Sequence, residues 1–187
     1  MDRIITAFII GCEVAFWVFV LAGLTFRYIL KQPRIGAVLL YSTPVVDLAL
    51  IVATVLDLRA GTPANFAHSL SAIYIGASIA FGHSMINWAD VRFAHRFAGG
   101  PKPAPKPKYG AAHARNERIG WLKHLLAYII GAAVLYGMIL FVDDAARTAS
   151  LSNTIRYWAI ILGIDFLISF SYTLWPKSAK EPQNKPI

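Results

Sequence analysis

The sequence predicts an all-α, polytopic membrane protein, a five-helix transmembrane bundle with its N-terminus outside and its C-terminus in the cytoplasm. Three observations carry that prediction. The chain is 57% hydrophobic and only 15% charged, whereas a soluble domain has nearer a quarter charged residues. Its apolar residues gather in five runs, each long enough to cross a bilayer as about 20 residues of helix. Its lysines and arginines collect on one side of those runs.

The runs cover residues 4–26, 35–56, 66–89, 121–142 and 155–175 of a single transmembrane domain, 1–187. The first is longer than the apolar core of a leader peptide, and Phe26-Arg27-Tyr28 lacks the small residues of a cleavage site, so it reads as a retained span. No internal repeat relates the five, and an odd count argues against a two-fold duplication. Between the first two spans lie Arg27, Lys31 and Arg34. The connection 91–120 holds Arg92, Arg96, Lys102, Lys106, Lys108, Arg115, Arg118 and Lys123 follows it, while the tail 176–187 adds Lys177, Lys180 and Lys185. Only Arg3, Arg59, Arg147 and Arg156 fall on the other side. Basic residues accumulate in cytoplasmic loops, so the net charge of +8 sets topology and calls for no nucleic acid. The one cysteine, Cys12, allows no intrachain disulfide.

The long basic connection opens as a continuation of the third helix. Arg92 and Arg96 share one face there, as do Phe93 and Phe97. Such a segment suits the headgroup layer, with its rings buried and its cations on anionic phosphates. After Gly99-Gly100 comes Pro101-Lys102-Pro103-Ala104-Pro105-Lys106-Pro107-Lys108, a composition that favours an extended polyproline strip. Arg92, Arg96, Lys102, Lys106 and Lys108 are therefore candidate lipid-headgroup contacts. The strip fits a docking site for an acidic partner as well as a stiff linker.

Several stretches carry a family likeness. They are Val55-Leu56-Asp57-Leu58-Arg59-Ala60-Gly61, Phe66-Ala67-His68, Ala72-Ile73-Tyr74-Ile75-Gly76 and Trp88-Ala89-Asp90-Val91-Arg92-Phe93-Ala94-His95-Arg96-Phe97-Ala98-Gly99-Gly100-Pro101-Lys102-Pro103. On these residues the chain resembles the YmcC-like family of bacterial multi-pass membrane proteins. The resemblance implies a location in the bacterial plasma (inner) membrane and supplies no catalytic residues.

The residues themselves point to chemistry inside the membrane. Glu13, Asp47 and Asp165 each sit mid-span, where a carboxylate costs about 2.5–3.5 kcal/mol to insert. Counted from the outer ends of the spans, all three fall roughly 14–15 Å deep. Thr43 and Thr54 share a helix face with Asp47, and Ser169 and Tyr172 share one with Asp165. Pro44 leaves the Leu40 carbonyl without its helical partner. No Lys or Arg lies deep in a span, so hydroxyls or a second carboxyl are the expected partners, with at least one of the three acids protonated. These residues are the candidate proton or cation sites of a small-solute transporter. They equally fit a polar core that fixes helix packing.

On the third span His68, Ala72, Gly76, Ala80, His83, Asn87 and Asp90 recur at steps of three or four. Small residues there allow close helix approach, so the stripe predicts either a packing seam or a polar track between the two faces. His83 and His124 could ligate haem or a metal across two helices. No cofactor is otherwise called for, and no phosphate loop, nucleophile elbow or zinc pattern points to an enzyme. A homodimer or a partner membrane protein is expected for so small a bundle. The rival to transport is a non-enzymatic accessory protein that uses its basic loop on a partner or on anionic lipid.

Overall fold

The computed structural model describes residues 2–97 and 99–178; for residues 2–6, 9, 13 and 67 the description covers the backbone alone. Five α-helices and no strand occur among them: α1 (Asp2–Tyr28), α2 (Pro33–Arg59), α3 (Phe66–Phe97), α4 (Gly110–Val142) and α5 (Ala149–Leu174). All five are long and apolar enough to cross a membrane. The chain is an all-helical membrane protein. Its helices run up and down, so Arg27, Arg34, Arg96, Arg115 and Lys177 share one end of the bundle, the basic end.

Local chemistry explains where the helices stop. Pro33 starts α2, where its missing N–H goes unneeded. Asp143, left-handed at φ 50°, closes α4. In the next turn Asp144 accepts the backbone N–H groups of Ala146 and Arg147, both at 3.0 Å. The Arg147 N–H foremost holds the Asp144 carboxyl below its ordinary range. That turn starts α5 at Ala149, six residues before the apolar run begins, and seats Leu151 fully inside. Likewise α4 starts at Gly110 instead of 121. Ala114 is buried, and Arg118 donates to Thr173 on α5 at 2.7 Å. The irregular part of the basic connection therefore shrinks, among the described residues, to about residues 99–109.

Two seams of small residues hold the bundle. A Cβ on Gly36 would lie 2.6 Å from the Gly23 carbonyl oxygen, so α1 and α2 touch backbone to backbone. A Cβ on Gly76 would strike the Ala127 carbonyl, and one on Gly131 would lie 3.0 Å from the Ala72 carbonyl and 2.5 Å from the Trp158 ring. Thus the Ala72 and Gly76 part of the α3 stripe is a packing seam against α4, and α5 plugs it with Trp158. The apolar core, Leu58, Ala72, Leu135, Met138 and Leu151, gathers toward the end opposite the basic one. Pro44 leaves no open carbonyl, because the Thr43 hydroxyl donates to Leu40 O at 2.9 Å.

The seam makes a graded prediction. Gly76→Leu forces α3 from α4 and should cost about 1–3 kcal/mol, read as a lower unfolding midpoint in detergent. Gly82→Leu, with nothing within 4 Å of its Cβ position, should leave the midpoint in place. Equal effects of the two would contradict the seam.

Candidate functional site

Antiparallel helices joined by a short turn bring together residues equally far from that turn, and most of the polar contacts follow this register. Nearest the α2–α3 turn, Asp57 and His68 meet at 2.9 Å, both buried. The Asn65 backbone N–H donates to His68 Nδ1 at 3.0 Å. The His68 proton therefore sits on Nε2 and is donated to Asp57. Thr62 donates to the other Asp57 oxygen at 2.9 Å, and Asn65 Oδ1 caps the His68 N–H at 3.3 Å. His68 is thus a structural clasp on the hairpin.

Deeper in the same hairpin lies Asp47, 12 residues before Arg59, and it faces Ser78, 12 residues after Phe66. The Ser78 hydroxyl donates to Asp47 Oδ2 at 3.1 Å, and the aspartate is 1% exposed. Thr54, between Asp47 and Asp57 on the buried face of α2, has its hydroxyl enclosed with no hydrogen-bond partner among the described residues.

Asp165 takes a partner from α4. His124 Nδ1 lies 2.7 Å from Asp165 Oδ2, and Ser169 donates to Oδ1 at 3.4 Å. The pair is only part-covered, His124 being 51% and Asp165 29% exposed. The Phe81 ring of α3 packs on the imidazole at 5.2 Å. One residue earlier on α4, the Lys123 ammonium donates to the Ser84 hydroxyl of α3. Ser78, Phe81 and Ser84 thus bring α2, α4 and α5 chemistry to three successive turns of α3.

These contacts correct several expectations. Asp47 lies 12 residues from the end of α2 and Asp165 lies 16 from the start of α5, so their depths are about 18 and about 24 Å. They form a stair about one turn high, not a layer, because α5 starts earlier than its apolar run. The side chain of Glu13 lies outside the described residues. An imidazole, left out of account as a partner, serves Asp165. Tyr172 packs its ring on His113 at 4.8 Å, about two helical turns along α5 from the carboxylate.

The α3 stripe is no continuous polar track. Its middle is closed by the Ala72–Gly76 seam, and His83 and Asn87 bond one another at 3.0 Å on the outer surface. Asp90 pairs with Arg27 at 3.1 Å. His83 and His124 take different partners, and no group of three His, Cys, Asp or Glu is placed to hold a metal among the described residues. Arg92 stacks on Trp88 at 4.0 Å, while Arg96, Lys102, Lys106 and Lys108 are exposed. Cys12 lies in a shallow apolar groove between α1 and α2, lined also by Gly11, Ala15 and Ala49.

The chain is 47% identical over 178 residues to a Bacillus subtilis (strain 168) protein named "Uncharacterized membrane protein YmcC", covering 94% of this chain and 95% of that one. The chain belongs to the YmcC family. No protein-family model matches it. No solved structure matches it. For a YmcC-family chain the functional residues must therefore come from the geometry above.

The clasp gives a direct prediction. His68→Ala removes one of the two side-chain donors to a buried aspartate and should cost about 1.5–3 kcal/mol in reversible unfolding in detergent. A loss below about 1 kcal/mol, the value of an exposed ion pair, would show that the clasp does not hold the hairpin.

Proposed function

We propose that this chain is a proton- or cation-linked carrier of a small solute in the bacterial plasma membrane, oriented N-out and C-in. The His124–Asp165 pair is its exchange site, and Asp47 and Glu13 are further acid groups. One observation carries this reading: a histidine and a carboxylate 2.7 Å apart, part-exposed and on the cytoplasmic side of the apolar length of α4 and α5, with an imidazole where a structural ion pair would have Lys or Arg. Such a pair can hold or release one proton and change its charge by one unit. Asp47, with a serine hydroxyl as its cross-helix partner, can do the same. A fixed cation would lock either acid in its charged form.

The orientation rests on the cation count, fourteen against four. Basic side chains at the cytoplasmic end also favour a second reading, an accessory protein that docks on anionic lipid. The observation behind it is Arg92 stacked on the exposed Trp88, a pair suited to the interface.

The test is proton flux in liposomes carrying an internal pH dye. Wild-type protein should pass protons well above empty liposomes. Asp165→Asn and Asp47→Asn should each cut the rate at least about tenfold, as loss of a proton-transfer group does, while Arg92→Ala should not. Flux equal to that of empty liposomes, together with unchanged behaviour of Asp47→Asn, would overturn the proposal.

A further inference from the structure

Where α1 and α3 meet at the basic end, four side chains form a corner that packing alone leaves incomplete. Arg27 Nη2 donates to Asp90 Oδ2 at 3.1 Å, and the two side chains remain 32% and 27% exposed. The Tyr28 ring lies on Phe93 at 5.0 Å, with the Arg27 guanidinium 5.7 Å from its centroid. The Tyr28 hydroxyl and Asp90 Oδ1 are both enclosed, and neither has a hydrogen-bond partner among the described residues. Leaving a donor and a charged acceptor unmatched carries a real cost. Two such atoms in one corner call for a guest that satisfies both.

Depth says what kind of guest. Asp90 stands 24 residues beyond Phe66, about 36 Å along the helix, past a hydrocarbon layer of about 30 Å. Arg27 and Tyr28 are the last two residues of α1, and Trp88 is 54% exposed nearby. The corner therefore lies at headgroup level, within an aromatic belt.

Charge selects among headgroups. Arg27 and Asp90 cancel, so the corner is neutral and presents both signs, unlike the wholly basic connection beside it. A purely anionic headgroup would meet the Asp90 carboxylate. A choline headgroup has no N–H to give Oδ1. A primary ammonium next to a phosphate matches both halves. The ammonium donates to Asp90 Oδ1, and the phosphate accepts from the Tyr28 hydroxyl and the Arg27 guanidinium. The Arg27 side chain is exposed by a third, so it can turn toward the phosphate and give the ammonium room at the Asp90 carboxylate.

We propose that Arg27, Tyr28, Asp90 and Phe93 form a binding site for the phosphoethanolamine headgroup of a membrane phospholipid.

The test uses the full chain in nanodiscs containing equal phosphatidylethanolamine and phosphatidylcholine with a fixed fraction of phosphatidylglycerol. Retained lipid is counted by native mass spectrometry. Wild-type protein should retain the ethanolamine lipid over the choline lipid by about tenfold, the value of one charged hydrogen bond. Asp90→Asn and Tyr28→Phe should each return the ratio toward that of the bulk. Tyr28→Phe keeps the ring on Phe93, so it decides the matter even if Asp90→Asn fails to fold. Replacing Lys102, Lys106 and Lys108 by Ala should leave the preference unchanged. Water-soluble phosphoethanolamine at the lipid's concentration should not displace it, and displacement would mark a soluble-ligand site instead. Equal retention of the two lipids by wild type, preference surviving in Tyr28→Phe, or retention of phosphatidylglycerol in their place would each overturn the proposal.

Discussion

Lipid offers no hydrogen bond, so a polar side chain inside the hydrocarbon layer is stabilised by a partner on the protein. This constraint orders the whole bundle. It is met by register: short turns set antiparallel helices so that equally distant residues face each other. Asp57 meets His68, Asp47 meets Ser78, and His124 meets Asp165. Backbone-to-backbone contact at Gly76 and Gly131 brings α3 and α4 close enough for short side chains such as Ser84 to be reached across the seam. Ser84, which accepts from Lys123 across that seam, depends on this close approach.

The bundle is uneven along its length. Its apolar core and the His68 clasp occupy the end opposite the basic one, where the turns are short and every clasp atom is matched. Toward the basic end the polar pairs are part-exposed, as His124 and Asp165 are. The pair proposed for proton exchange, His124 with Asp165, is part-exposed, while the clasp is enclosed. Enclosed and part-exposed polar pairs thus lie toward different ends of the same five helices.

Much of this was legible in the sequence. Composition and run length gave the five spans, and the steps of three and four on α3 marked Ala72 and Gly76 as a seam. The partners were harder to read, because the chain's two early helix starts were hidden. Residues 149–154 are mostly small and polar, with Leu151 the one large apolar side chain, so hydropathy starts the fifth span at 155 and leaves His83 as the partner to consider for His124. Counted from the Asp144 turn instead, His124 lies 18 residues before Val142 and Asp165 lies 16 after Ala149, which predicts their meeting. The aspartates at 143 and 144 were the available signal for that turn. Arg27 with Asp90 could not be found this way, since α1 and α3 share no turn.

The central claim is that Asp165 and His124 act as one proton-holding unit. The direct measurement is the ¹⁵N signal of the His124 imidazole across a pH titration of the protein in lipid. The pair predicts a protonated, hydrogen-bonded Nδ1 whose signal and titration both change in Asp165→Asn, while Asp47→Asn leaves them unaltered. A His124 signal indifferent to the loss of the Asp165 carboxylate would contradict the account.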